Sequence, residues 1–413
     1  AEASDGGGFQ AHTPCILTGL RPFPGPLPAG HWGMDIGFTS PHPAQVRHLG
    51  RVFYEAGLRM QRALAAWVRE GGRPDQILVL EHDPVFTLGR NANRRDIHVN
   101  DAFLASRGVQ VFETDRGGQV TYHGPGQVVV YPICNLREGR QDLSRFVRGI
   151  EEAMIRTAAD FGVVAERLDG FPGVWVDTPR GWEKLGALGV HLQRWIATHG
   201  IAFNVNPGLH HFQWITPCGI TDKGVCSLAS LLGEGAPTWA QAADRLARHM
   251  TEVLGLVPQP VEPPSRSVSA LTWRRTAGGP QVLMMLRQPD QGLWWSSVTG
   301  MLEPGEDPES GAHREVLEET GLRGKLTPFE FAHTFWVDPA ILGLPEGEPR
   351  FNTETCFHLE VESGSEVRLD PAEHSEYRWC SVDESLTLAR WEGTKAALRL
   401  LKRHLESASP ASS

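Results

Sequence analysis

Arg116-Gly-Gly-Gln-Val-Thr-Tyr-His123-Gly-Pro-Gly126-Gln127 is the stretch on which the fold of this chain turns. Four of its first eleven residues are glycine, so the backbone can enter left-handed conformations and another molecule can approach it closely. Arg116 and His123 set polar tips beside that exposed backbone, and the apolar run 127–133 that follows reads as a strand. On composition alone a plain glycine-rich turn before a strand accounts for the run equally well, because glycine runs are common and weakly specific.

Three further segments lie downstream. Lys184-Leu-Gly-Ala-Leu-Gly189 precedes a strand, His199-Gly-Ile-Ala-Phe-Asn204 enters the next, and Thr216-Pro-Cys218-Gly-Ile220 sets a cysteine on a turn. A thiolate is the attacking form of cysteine, so a reactive Cys218 needs a neighbour that lowers its pKa or takes its proton, and a lysine does either. For Cys15, Cys134, Cys356 and Cys380 the ordinary reading, a small buried apolar side chain, holds. Cys226 reads the same way, with an auxiliary thiol near Cys218 as the alternative.

Taken in order and at these separations, RGGQVTYHGPGQ, KLGALGVH, HGIAFNVNP and TPCGI resemble the lipoyl(octanoyl) transferase family, and EHDPVFTLGR at 81–90 resembles a further family segment. The resemblance spans roughly residues 45–254 and implies the fold shared with biotin and lipoate ligases. It implies that Cys218 is the acyl-thioester nucleophile and that Lys184 lowers its pKa and handles the proton. It also implies an acyl site lined by Arg116, Gly117, Gly118, Gln119, Val120, Thr121, Tyr122 and His123, joined by Ala187, Leu188 and Gly189 and by Gly200, Ile201 and Ala202. The implied partners are octanoyl-acyl carrier protein and lipoyl-domain proteins, namely 2-oxoacid dehydrogenase subunits and the glycine cleavage carrier protein; the transferase needs no cofactor. A lipoate or biotin ligase, which activates its acid with ATP and needs no nucleophilic cysteine, is the competing reading, and Cys218 argues against it.

A second constellation is Gly300-(five residues)-Glu306-(seven)-Arg314-Glu-Val-Leu-Glu-Glu-Thr-Gly321-Leu322. Residues 309–320 are good helix sequence, and Glu315, Glu318 and Glu319 stand at i, i+3 and i+4 on one face. Carboxylates packed so closely repel unless cations bind, and hard oxygen ligands suit Mg²⁺ or Mn²⁺, which bridge to a diphosphate. Arg314 is placed to hold a carboxylate, and Gly321 to end the helix. A solvated acidic helix face is the usual meaning of REVLEE. The upstream Gly300 and Glu306 decide against it, because every fixed position then fits the Nudix box.

The Nudix resemblance implies an α/β/α sandwich that hydrolyses a nucleoside diphosphate linked to another group, with Glu315 and Glu319 as metal ligands assisted by Glu318 and Glu306. VLMMLRQPDQGLWWSSVTG, FNTETCF and AEHSEYRW resemble the dihydroneopterin-triphosphate pyrophosphatase branch. That likeness implies a nucleoside or pterin triphosphate as substrate, substrate contacts from Arg287 and Thr299, and Glu373 as a further metal ligand or base. Trp294 and Trp295 read either as a stacking platform or as core. A third reading makes this part a regulatory binding module; its intact glutamates argue against that.

Strand and helix patterns intermix, so the fold class is α/β (α+β). Apolar spacing predicts an amphipathic helix over 45–70 and strands at 77–80, 127–133, 174–176, 187–196 and 201–205, with helices over 143–161 and 239–256. The predicted organisation is a flexible segment 1–43, a transferase domain 44–256, a proline-rich linker 257–267, a Nudix domain 268–405 and a tail 406–413. A net charge of -10 over 413 residues excludes a general nucleic-acid binder, which needs a basic field. Neither a membrane span nor a secretory leader is read, the cysteines form no disulfide framework, and a cytoplasmic location follows by default.

Overall fold

The computed structural model describes Phe38 and residues 41–137, 139–216, 223–289, 292–337 and 350–408, all within one compact unit, Ile36–Ser413. Strand β1 (His42–Arg51) leads into α1 (Tyr54–Arg69), β2 (Asp75–Glu81), β3 (Val85–Leu88), α2 (Asp101–Ser106), β4 (Gln110–Glu113), β5 (Val120–His123) and β6 (Gln127–Ile133). Next come α3 (Leu143–Asp160), β7 (Glu166–Leu168), β8 (Phe171–Thr178), β9 (Gly181–Gln193), β10 (Ile196–Asn204), β11 (Gly224–Val225), α4 (Leu228–Leu232), α5 (Trp239–Val253) and β12 (Leu256–Gln259). A nine-stranded sheet runs β12-β1-β2-β6-β10-β9-β8-β7, with β11 on β9, and β4-β3-β5 form a small sheet of their own.

Side chains alternate across each strand, so β6 feeds both faces of the large sheet. Val128 and Val130 meet Phe146, Ile150 and Met154 of α3 and Leu246 and Met250 of α5. Val129 and Tyr131 meet Met60, Leu64 and Val68 of α1 on the other face.

The second module contains β13 (Ser265–Thr276), β14 (Gly279–Arg287), β15 (Trp295–Ser296), β16 (Val298–Met301), α6 (Pro308–Thr320), β17 (Lys325–Val337), β18 (Arg350–Val361), β19 (His374–Ser381), α7 (Val382–Leu388) and α8 (Glu392–Ala408). Its seven-stranded sheet runs β15-β14-β13-β18-β17, with β16 on β13 and β19 on β14. Ala312 and Val316 of α6 pack on one face, and Leu398, Leu401 and Leu405 of α8 on the other. The two modules share a core: Phe331, Phe351 and Cys356 join the cluster under α1, with Phe53 at 5.9 Å from the Phe331 ring and 5.0 Å from His333.

Four expectations need correction. Residues 42–51 are a strand, so the helix begins only at Tyr54. The period-two pattern was hidden because Gln45 and Arg47, which are buried, are polar; they satisfy each other and Gln76 through hydrogen bonds of 2.9 to 3.2 Å. The stretch 187–196 is a strand end, a turn at Arg194 and Trp195 with φ of 52° and 64°, and the start of β10. Such a left-handed pair is the tight hairpin geometry usually given to Asn and Gly. Of the linker 257–267, Val257 to Gln259 lie in β12, paired with β1, and residues 265–267 in β13. Helix α8 continues to Ala408, past the expected start of the tail. Apart from Phe38 and residues 41–43, the segment 1–43 lies outside the described residues, Cys15 included. Among the described residues no helix is long and apolar enough to cross a membrane.

Candidate functional site

The antiparallel pair β9–β10 carries two of the sequence motifs face to face, with Ala187 opposite Ala202, Leu188 opposite Ile201 and Gly189 opposite Gly200. The glycine-rich loop lies against them through the Gly117 N–H, which donates to Val190 O at 3.0 Å. Gly189 permits this approach, since a Cβ there would stand 2.9 Å from the Gly117 carbonyl oxygen, and Gly118 supplies a left-handed φ of 87°. Between loop and strands opens a cavity. Lys184, Arg116, Gly118, Thr121, His123, Ala187, Leu188, Gly189, Gly200, Ile201 and Ala202 all line it.

Four residues of the expected site do not line it. Val120 and Tyr122 alternate with Thr121 and His123 along β5 and point into the core of the small sheet with Phe86 and Leu104. Gly117 and Gln119 act through the backbone: Gln119 O accepts from Gly89 N–H and from Arg116 Nη2, the latter at 2.6 Å. Arg116 is a clamp, donating also to Thr87 O at 2.6 Å and to Thr87 Oγ1 and Gly117 O. Tyr54, Tyr131 and His199 line the cavity without having been expected. Tyr131 left a trace as the polar aromatic in an otherwise apolar strand, and His199 as the neighbour of Gly200; Tyr54 left none.

Beside Arg116 and Lys184, the cavity wall carries imidazole and phenol groups, backed by His82. His82 Nδ1 meets the Val52 carbonyl at 2.6 Å and so donates, which leaves Nε2 to accept from Tyr131 O–H at 2.8 Å. Burial lowers His82 to about 4. His123 is lowered to about 3, first by burial and then by His82 and Arg116. It donates from Nδ1 to Gln127 Oε1 at 2.8 Å, so its Nε2 is an acceptor. Gln127 passes the chain on to Asn204 Oδ1, and Asn204 Nδ2 to Cys226 O, each at 2.9 Å.

Lys184 is buried, its Nζ 4.6 Å from the Trp175 ring centroid. Its carbonyl accepts from Cys226 N–H, and Val225 pairs with it on β11. Cys226 is buried and pushed up to about 12, mainly by burial and then by Glu183, so it is a thiol in the packing. Cys134, Cys356 and Cys380 are likewise buried and unbridged. Cys218 lies outside the described residues.

In the second module, Asp307 caps α6 and Gly321 ends it with a φ of 68°. Arg314 gathers the carboxylates. It binds both oxygens of Glu306 at 3.0 and 2.9 Å, Glu315 Oε1 at 2.8 Å and Glu318 Oε2 at 3.1 Å. Glu306 is therefore held low by Arg314, while Glu315 and Glu319 are raised by burial against the pull of Arg314 and His374 respectively. Glu319 accepts from Thr299 N–H and contacts His374 Nε2 at 2.8 Å. Arg287 bridges Glu373 and Thr299 Oγ1, so the three residues read from the pyrophosphatase resemblance come together.

Oxygens of Glu319 and Glu373 converge with a His374 nitrogen within 4.8 Å. His374, buried with its Nδ1 unpartnered, was not foreseen. The buried Glu319 and the partly exposed Glu373, with His374 beside them, are a donor set that fits a divalent cation. A second group, His333, Glu354 and Cys356, sits at the module junction, but the thiol faces Nδ1 and the carboxylate Nε2 of the same ring, so it does not converge on one ion. Trp294 and Trp295 lie under the guanidinium groups of Arg390 and Arg378, respectively, each partly buried.

A chain so built is a group-transfer enzyme that carries a hydrolase domain. Residues 54–251 match the family described as lipoyl protein ligase A/B catalytic domain, and residues 263–402 match the NUDIX domain. An octanoyltransferase of Myxococcus xanthus is 40% identical over 356 residues, 86% of this chain and 98% of that protein. An octanoyltransferase of Chloroflexus aggregans is 47% identical over 214 residues, 52% of this chain and 96% of that protein. The chain belongs to the octanoyltransferase family and carries a Nudix domain beyond its transferase module. Among solved structures, the E. coli dihydroneopterin triphosphate pyrophosphohydrolase is 24% identical over 35% of this chain and 96% of that one, at a TM-score of 0.29. A likeness of that level carries no inference about substrate.

Proposed function

We propose that Cys218 carries the octanoyl group as a thioester and that Lys184 manages its proton. The observation that supports this is the cavity under the glycine loop, which gathers Lys184 with ten of the residues read as the acyl site. Val225, seven positions beyond Cys218, is paired with Lys184 itself, so the chain carrying the cysteine is tied to the lysine's strand. In the first step the Cys218 thiolate attacks the thioester carbonyl of octanoyl-acyl carrier protein, and the carrier thiol leaves with the proton that Lys184 held. In the second, the ε-amine of a lipoyl-domain lysine attacks the Cys218 thioester; an amide forms and the Cys218 sulfur leaves, its proton balance again passing through Lys184. His123 and Tyr131 add uncharged groups to the wall beside the apolar tail.

Intact-mass measurement after mixing with octanoyl-acyl carrier protein tests the scheme. The wild-type chain gains one octanoyl group, Cys218→Ser gains none, and Lys184→Met gains it slowly or not at all. Transfer that persists in Cys218→Ser and requires ATP would instead support the ligase reading.

For the Nudix domain the reading is hydrolysis of a nucleoside or pterin triphosphate, with dihydroneopterin triphosphate as the leading substrate. Glu315, Glu318 and Glu319, with Glu373, would hold Mg²⁺ or Mn²⁺, whose chemistry is to polarise the diphosphate and its attacking water. Glu306 and Arg314 position these carboxylates, and Arg287 is placed to meet substrate once it releases Glu373. Pyrophosphate release across a panel of nucleoside and pterin triphosphates tests this; activity confined to oxidised purine nucleotides would sink the pterin assignment.

A further inference from the structure

Helix α6 holds the Glu319 carboxylate almost wholly out of water, and His374 Nε2 stands 2.8 Å from its Oε2; the two side chains are 3% and 0% exposed. We propose that His374 is the positioning residue of the metal site: its Nε2–H holds the Glu319 carboxylate in the orientation that takes the divalent cation, without itself binding the ion. The inference rests on the reading that Glu319 is a metal ligand of the Nudix domain.

The sheet is built to deliver this ring. Leu283 and Met285 of β14 and Trp379 of β19 pack on the α6 side. Leu283 pairs with Trp379 and Met285 with Tyr377, so strict alternation would turn Ser375 to that side and His374 away from it. The register breaks instead. Leu286 pairs with Glu376 and Arg287 with His374, which leaves one extra residue in β19. A bulge of this kind re-aims a side chain, and bulges are over-represented beside active sites. Here it brings His374 round to Glu319. The turn before it is tied to the same residue: the N–H groups of Glu373 and His374 donate to Asp370 O, and Asp370 N–H donates to Glu319 O.

The hydrogen bonds divide the roles. An ionised carboxylate only accepts, through about four lone pairs on its two oxygens. Thr299 N–H takes one on Oε1 at 3.3 Å and His374 takes one on Oε2, so each oxygen keeps a lone pair for a cation. The proton of His374 Nε2 faces the carboxylate, so that nitrogen has no lone pair to offer an ion. Nδ1 is sealed from solvent, and Glu319 is the ring's one hydrogen-bond partner among the described residues. Without the ring, Oε2 has no N–H to hold it and the carboxylate can turn away.

Mn²⁺ binding to the intact chain, followed by loss of the free-ion electron paramagnetic resonance signal, tests this. His374→Leu should weaken Mn²⁺ binding about 10–100-fold, the usual cost of removing the hydrogen-bond partner of a metal ligand. His374→Gln, which presents an amide N–H at similar reach, should recover most of that loss, as a role in packing alone would not. Octanoyl transfer should stay at the wild-type rate in both variants. An affinity unchanged in His374→Leu, or a His374→Gln variant as weak as His374→Leu, overturns the proposal. So does a nitrogen hyperfine coupling to bound Mn²⁺ that vanishes in His374→Leu, since the ring would then be a ligand. A wild-type chain that binds no Mn²⁺ would instead defeat the metal reading on which the proposal rests.

Discussion

Changing Gly300 to alanine isolates the hydrolase chemistry in a single methyl group. Built at ideal geometry, the new Cβ falls 1.8 Å from the Glu315 carboxyl carbon and 2.0 and 2.2 Å from its oxygens. Ordinary contact begins near 3.4 Å, so the carboxylate must retreat by 3.4 − 1.8, about 1.6 Å. Gly300 does not use the left-handed region, and it pairs with Val268 in the sheet, so alanine costs the backbone little. Retreat is resisted by Arg314, which holds Glu315 at 2.8 Å and Glu306 beside it, so the whole carboxylate set shifts. A misplacement of about 1 Å costs on the order of 100-fold in rate. Gly300→Ala should therefore lower kcat for pyrophosphate release about 100-fold or more, while octanoyl transfer, measured on the same preparation, is unaffected. Hydrolysis at the wild-type rate would refute the claim that Glu315 works from this position, and a parallel fall in both activities would show that the substitution had damaged the fold instead.

His82 and His123 are neutral in the fold down to about 4 and about 3, whereas the unfolded chain takes up protons near 6.5. Their stability contribution is whole above 6.5 and is lost as pH falls toward 4, by about 1.4 kcal/mol per pH unit for each. His333, lowered to about 4, adds a third share; Glu354, pushed up to about 7, has the opposite sign and gains stability as pH falls from 7 toward 4.5, offsetting one histidine. The thermal midpoint should thus drop between pH 7 and 5.5, and a flat or rising profile would contradict the burial of these rings. Phe53→Ala should cost about 3–5 kcal/mol, the usual range for a buried phenylalanine, and loosen the module junction. Urea unfolding followed by tryptophan fluorescence checks it; a loss below about 1 kcal/mol would mean that the shared core carries little of the stability.

What the sequence disclosed and what it hid have separate physical causes. The glycine loop and the β9–β10 motifs were legible because close backbone approach leaves glycine as its mark, as at Gly189. The α6 carboxylates were legible because helical spacing fixes which side chains share a face. Strand β1 was not, because its buried Gln45 and Arg47 are polar and satisfy each other, so no apolar period appears. Val120 and Tyr122 were credited to the acyl site with their neighbours because a motif reads as a continuous run, whereas a strand divides it between two faces. His374 and Tyr131 act through partners 55 and 49 positions away, which no local pattern encodes.

The junction explains why the chain is more than two enzymes in series. At the start of α1, Phe53 packs on Phe331 and His333 of the Nudix module. The very next residue, Tyr54, lines the cavity under the glycine loop and stacks on His123 at 6.0 Å, with the rings only 13° from parallel. One peptide bond therefore joins the module contact to the cavity wall. Arg47 and Arg51 reinforce it, lying 5.0 and 5.5 Å from the Phe351 and Phe331 rings, and Gln110 reaches Glu392 of α8. Severed from its partner, the transferase module would expose Phe53 and its neighbours to water, and the position of Tyr54 would lose its anchor. The Nudix module is thus part of what shapes the cavity under the glycine loop, and the two modules share the start of α1 as a structural element.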